Sequence, residues 1–193
     1  MTLPPAAEPP VSRFRIGQMW SRMKKVARFD GATFLELRND NKATGQAIGV
    51  LALTSVSYGV GLALSNAALA GDYGLYGIVV GAFATMLISM IALLIWSMTT
   101  YLVGTKLFKG ATSFFGLLRP LFFSASPGLL LVFVSIPIDI ASRVVAAVVL
   151  GWMLIAEVFA IKNAMGFGMQ RSMLTFIVGF LILLLVATTF GSI

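Results

Sequence analysis

Residues 172–190 read SMLTFIVGFLILLLVATTF, nineteen positions without a charged side chain. About 20 apolar residues in a helix cross the ~30 Å hydrocarbon layer of a bilayer. A spanning barrel strand would instead show ~10 residues of alternating polarity, and this run is apolar on every side. The stretch therefore predicts a membrane-spanning helix.

Moving back along the chain, the same test predicts spans over 140–161, 121–138, 75–103 and 45–69. The run 121–138 is interrupted by Pro127 and Gly128, so it either spans with little to spare or re-enters as a broken segment. No repeat and no long linker divides the chain. The expectation is an all-α integral membrane protein: a bundle of five transmembrane helices over 44–193, preceded by a cytoplasmic N-terminal segment over 1–43.

Composition agrees. Of 193 residues 59% are apolar and 11% charged, whereas a soluble domain has about 45–50% apolar and about 25% charged residues. The charges are also unevenly placed, with 12 of the 21 in residues 1–43. Under a five-span threading, thirteen Lys and Arg fall on one side: eight in the N-terminal segment, then Lys106, Lys109, Arg119, Lys162 and Arg171. Arg143 alone falls on the other. Cations gather on the cytoplasmic side of short loops, so the N-terminus is expected in the cytoplasm of a cell-membrane protein and the C-terminus outside. The opening MTLPPAAEPP has neither the basic start nor the apolar core of a signal peptide and reads as a disordered, uncleaved tip.

The net charge of +7 would suit nucleic acid if it formed a stripe on a soluble face. Here the cations precede the first apolar run, where they meet anionic lipid headgroups instead. Ile16, Met19, Trp20, Met23 and Ala27 recur at spacings of three and four, which puts them on one helix face. Arg15, Arg22, Lys24, Lys25 and Arg28, with Arg13, supply the polar side. An amphipathic basic helix of this kind lies in the headgroup plane, with Trp20 at the interface. The plainer alternative is a short helix that packs beneath the membrane domain. After it, Asp30 or Thr33 is placed to cap a second short helix that buries Phe34, Leu35 and Leu37.

Few residues in the apolar body carry chemistry. Glu157 is the one carboxylate inside a predicted span, roughly 7 Å from the edge marked by Lys162 at 1.5 Å per residue. It either reaches water or a cytoplasmic cation, or it handles a proton or substrate. Asp139 and Arg143 sit at i, i+4 and are expected to close a local ion pair, with an external ligand site as the second reading. Pro127 removes an amide donor, leaving the Phe123 carbonyl for Ser124, Ser126 or a neighbouring helix; a kink is the simpler reading and a substrate-binding break the other. Gly45 with Gly49, and Gly77 with Gly81, have the GxxxG spacing of close helix contact, within the chain or in a homodimer or larger complex.

The sequence contains no Cys, no His, no phosphate-binding loop, no GxSxG and no HExxH. It thus gives no ground for catalysis, a metal or a cofactor. The stretches ATFLELRNDNKATGQA (32–47), IWSMTTYLVGTKLFKGATSFFGLLRPLFFSASPGLLL (95–131) and VVLGWMLIAEVFAIKNAMGFGMQRSMLTFIVGFL (148–181) resemble the Yip family, five-span proteins named for interaction with Ypt/Rab GTPases, and its bacterial branch in particular. The resemblance runs over about 28–193 and is carried by the order of Trp96, Tyr101, Gly104, Phe114, Phe115, Arg119 and Pro127. It implies five spans, a cytoplasmic N-terminus and a non-enzymatic role. Eukaryotic relatives act in trafficking and organelle shape through small GTPases. The acidic N-terminal motif of those relatives has no counterpart in this basic head.

The sequence therefore points to a membrane-organising or adaptor protein touching anionic lipid. A small transporter using Glu157 and the Pro127 break is the second reading, and an accessory subunit of a larger membrane complex the third.

Overall fold

The computed structural model describes residues 15–70, 74–135 and 139–190. The expected tip at 1–10 and Arg13 lie outside them, as does the side chain of Asp139. Every element among the described residues is helical. Two short helices, α1 (Ile16–Ala27) and α2 (Gly31–Asn39), precede α3 (Thr44–Ala70) and α4 (Leu75–Leu102). Next come α5 (Phe114–Ser124), a 3-10 segment (Ser126–Ser135), α6 (Asp139–Met165) and α7 (Met169–Phe190).

Four stretches are long and apolar enough to cross a membrane: 41–68, 75–107, 114–135 and 140–165. Helix α7 adds a shorter apolar stretch over 169–185. Helix α7 as a whole runs 22 residues, Met169–Phe190.

The third stretch begins seven residues before its expected start at Leu121. Ser113 caps α5 by accepting from the Gly116 N–H at 3.0 Å, so the helix opens at Phe114 and takes in Arg119. Arg119 is consequently not a loop cation. Beyond Ala125 the chain tightens into the 3-10 segment, and the Phe123 carbonyl accepts from the Ser126 hydroxyl. The broken run is also the most enclosed of the candidate spans, while none of the α4 window is buried. α3, α4 and α6 surround it, and its two halves form the axis of the molecule.

Close backbone approach occurs at glycines other than the expected ones. A Cβ on Gly61 would lie 2.3 Å from the Leu131 carbonyl oxygen, and one on Gly59 would lie 2.5 Å from that of Ala82. Among the described residues no neighbouring element comes within 4 Å of a Cβ at Gly45 or Gly77, and Gly81 meets the Ala63 side chain at 3.7 Å. Gly49 is half-buried. Helices in a bilayer gain little from the hydrophobic effect and associate through such close packing, so here a Gly-x-Gly in mid-α3 seats both α4 and the 3-10 segment. The GxxxG spacing at 45/49 and 77/81 does not mark that contact.

Candidate functional site

The N-terminal segment is bolted onto the bundle through two buried arginines. Arg22, 4% exposed, projects from α1 toward α2 and the start of α3. It donates to Glu36 Oε1 and Asp40 Oδ2, each at 2.6 Å, and to Gln46 Oε1 at 2.7 Å. Burial lowers the pKa of Arg22, but its bonds to Glu36 and Asp40 and their charges outweigh that and leave it above its ordinary value. Burial likewise raises the Asp40 carboxyl, yet the bond from Arg22, the Lys42 N–H and the nearby guanidinium charges hold it below its ordinary 3.8. Arg119, from α5, donates to the Leu37 and Arg38 carbonyls at 3.1 and 3.0 Å and to Asn41 Oδ1 at 2.7 Å. It thereby satisfies carbonyls that the end of α2 leaves without helical partners.

Further ties hold the same segment. Asp30 caps α2, accepting from the Thr33 hydroxyl at 2.6 Å and its N–H at 3.3 Å. Phe29, in the left-handed region at φ 62, turns the chain between α1 and α2 and stacks on Phe159 at 5.2 Å. Trp152 donates its indole N–H to the Ala27 carbonyl at 2.8 Å, and Arg38 donates to Ala111 O at 2.6 Å. α1 also packs on the 3-10 segment.

This docking divides what reads in the sequence as one apolar face of α1. Met19, Met23 and Val26 are buried in the main core with Phe34, Leu117 and Leu121. Arg22 lies among them and is turned away from any headgroup, a correction to its expected place among the lipid-contacting cations. The signal was present: Arg22 shares the inward spacing of Met19 and Val26, and Glu36 and Asp40 stand at i, i+4 on α2. Ile16 and Trp20 remain 59% and 42% exposed. With Lys24 and Arg28, both exposed, they form one outward stripe at i+4 intervals. Arg15 and Lys25 are exposed on either side of it. The helix thus presents two apolar side chains followed by two cations to its surroundings.

Deep in the bundle, Glu157 is 7% exposed. Among the described residues it forms no ion pair, so the expected cytoplasmic cation does not meet it. The indole N–H of Trp96 faces its carboxyl group without reaching hydrogen-bond geometry. Thr100, one turn further along α4, is fully buried, and its hydroxyl has no partner either. Trp96 is held edge-on against Phe176 at 5.2 Å, and Gly179 of α7 lies open to Trp96 and Thr100. Neighbouring hydroxyls are satisfied within their own helices: Ser97 on Leu93 O at 2.7 Å and Thr175 on Arg171 O at 2.8 Å. The unpartnered groups of Trp96 and Thr100 differ from these neighbours; Arg119 Nε, at the α2 joint, is a third buried atom without a partner. Sequence reading singles out Glu157 but not these two, because neither residue type is unusual in an apolar helix.

Arg143 is exposed near the start of α6, and the expected Asp139 partner side chain lies outside the described residues. Pro127 is buried at the head of the 3-10 segment. Among the described residues no group of three carboxylates gathers in the way a metal site requires.

A family model described as the Yip1 domain matches residues 24–191. No curated protein and no solved structure matches the chain.

Proposed function

The chain belongs to the Yip1 domain family, and we propose that it is a non-enzymatic, five-span membrane-organising or adaptor protein whose docked N-terminal segment rests on anionic lipid at the cytoplasmic face of the cell membrane. Family membership and several long apolar helices make it a multi-pass membrane protein. The observation that carries the finer reading is the outward stripe of α1. Ile16 and Trp20 suit the boundary between acyl chains and headgroups, and Lys24 and Arg28, with Arg15 and Lys25, suit lipid phosphates. The rest of the helix is fixed to the bundle, so the stripe is presented without an ordering cost at the moment of contact.

Reconstituting the full chain in nanodiscs of phosphatidylcholine with and without phosphatidylglycerol tests this. The anionic lipid retained through purification, read by mass spectrometry, should fall in a Lys24→Glu/Arg28→Glu variant. Equal retention in both proteins would remove the lipid role. The threading is tested separately: the sequence has no cysteine, so single cysteines at Ser21, Lys109 and Gln170 should label from the cytoplasmic side. A homodimer or larger assembly is a further part of this reading, and size analysis in mild detergent decides it.

A small transporter is the second reading. It is favoured by the enclosure of Glu157 without a cation and by the broken run through Pro127. Unchanged flux in a Glu157→Gln variant would dismiss it.

A further inference from the structure

A cavity of about 260 Å³ lies between α3, α4, the 3-10 segment and α6. Its walls are aliphatic at Leu51, Leu93, Leu131 and Met153. Of the four hydroxyl side chains on the wall, Thr54 bonds to the Val50 and Leu51 carbonyls at 3.0 Å and Ser89 to Thr85 O at 2.7 Å; Ser55 and Tyr58 are the other two. The cavity is nonetheless lined mostly by carbon. It lies halfway along three of the stretches that are long and apolar enough to span, so hydrocarbon is what surrounds it.

Helical spacing connects this cavity to the unpartnered polar groups. On α6, Leu150 and Met153 line it, and Glu157 follows at i+7 and i+4 from them. On α4, Ser89, Ala92 and Leu93 line it, and Trp96 and Thr100 continue the same face at i+7 and i+11 from Ser89. The two faces that form the apolar cavity therefore lead, about one helical turn or 5.4 Å further on, to the buried Glu157 carboxyl group and the free Trp96 indole N–H, and about two turns on to the free Thr100 hydroxyl. Each buried polar group without a partner costs on the order of 1–3 kcal/mol. An apolar chamber whose walls lead to two such groups, with the Glu157 carboxyl beside them, is complementary to an amphiphile.

We propose that the cavity and the Trp96, Thr100 and Glu157 groups beyond it bind a single-chain amphiphile with a small head that both donates and accepts hydrogen bonds, a primary alcohol. A cavity of about 150 Å³ accommodates benzene, so this one takes a body of about ten carbons. Such a head accepts from the Trp96 N–H and donates to Glu157, completing what the protein leaves open. A carboxylate head would be stripped of its water in an apolar chamber, and a plain hydrocarbon leaves the Trp96 and Thr100 groups unpaired.

The test uses the full chain in phosphatidylcholine nanodiscs and 2-bromodecan-1-ol, whose bromine sits beside the head and quenches nearby indoles. The expected result is saturable quenching that disappears in Trp96→Phe and is reversed by 1-decanol, but at least tenfold less well by decane or decanoate. Glu157→Leu should weaken binding about tenfold. Filling the chamber with Ser89→Phe should abolish it, and the milder Ala92→Leu should weaken it should the larger substitution prevent folding. Quenching that rises without saturation and is equal in wild type, Ala92→Leu and Trp96→Phe is bilayer partitioning and overturns the proposal. Decane competing as well as decanol, or Glu157→Leu leaving affinity unchanged, overturns it too. None of these readouts depends on anionic lipid, so failure here leaves the role of α1 standing.

Discussion

Arg22 and Asp40, eighteen residues apart in the chain, meet at 2.6 Å with the guanidinium almost wholly enclosed and the carboxylate 27% exposed. The same guanidinium holds Glu36 and Gln46, so one side chain fixes α1, α2 and α3 to one another.

Arg22→Met should therefore lower stability. Truncating one member of a buried pair costs about 3–5 kcal/mol, and hydration of Glu36, 48% exposed, reduces this to about 2 kcal/mol. Thermal unfolding of the full chain in detergent measures it. Glu36→Gln should cost less than half as much, because Arg22 keeps Asp40 and Gln46.

Acid should loosen the same joint. Asp40 has a folded-state value below its ordinary 3.8, so its contribution is fully present above that pH and is lost as pH falls through the lower, folded value. Asp30 is shifted in the same direction, first by its bond from the Thr33 hydroxyl, and adds to the loss. The charge of Arg22 does not change in this range. The melting temperature should fall between about pH 4 and pH 2 and do so less steeply in Asp40→Asn; an identical slope in the variant would exclude Asp40 as the source.

Gly61→Ala places a methyl group against the Leu131 carbonyl. The helix and the 3-10 segment must separate, at about 1–3 kcal/mol. Gly45→Ala meets nothing and should be neutral or stabilising by up to about 1 kcal/mol, the intrinsic preference of a helix for alanine. Paired melting curves of the two variants distinguish packing from propensity.

Trp152→Phe removes the donor to the Ala27 carbonyl and keeps an aromatic ring in place. A loss of about 1 kcal/mol is expected, with protease cleavage near residues 27–30 becoming faster than elsewhere in the chain.

Much of this architecture is legible in the sequence because bilayer solvation imposes a length and a polarity on each span. The starts of α3 and α4 fall within one residue of their expected positions, since Thr44 and Leu75 stand where polarity changes sharply. The start of α5 is not legible: Arg119 inside FFGLLRPLFF looks like the edge of a loop, and only the α2 carbonyls that it meets explain its burial. Tertiary partners also decided α1, where one amphipathic pattern supplies two surfaces. At Glu157 the residue was legible and its surroundings were not, because Trp96 and Thr100 come from a helix sixty residues away.

The ties of the N-terminal segment have a consequence for biogenesis. Ala27 waits for Trp152, 125 positions downstream, and Arg38 for Ala111, 73 positions downstream. Synthesis delivers α1 and α2 first, yet their seats exist only after α5 and α6 have entered the bilayer. The N-terminal segment thus locks only after α6 has been made, and its docking reports that the chain has been inserted at least that far.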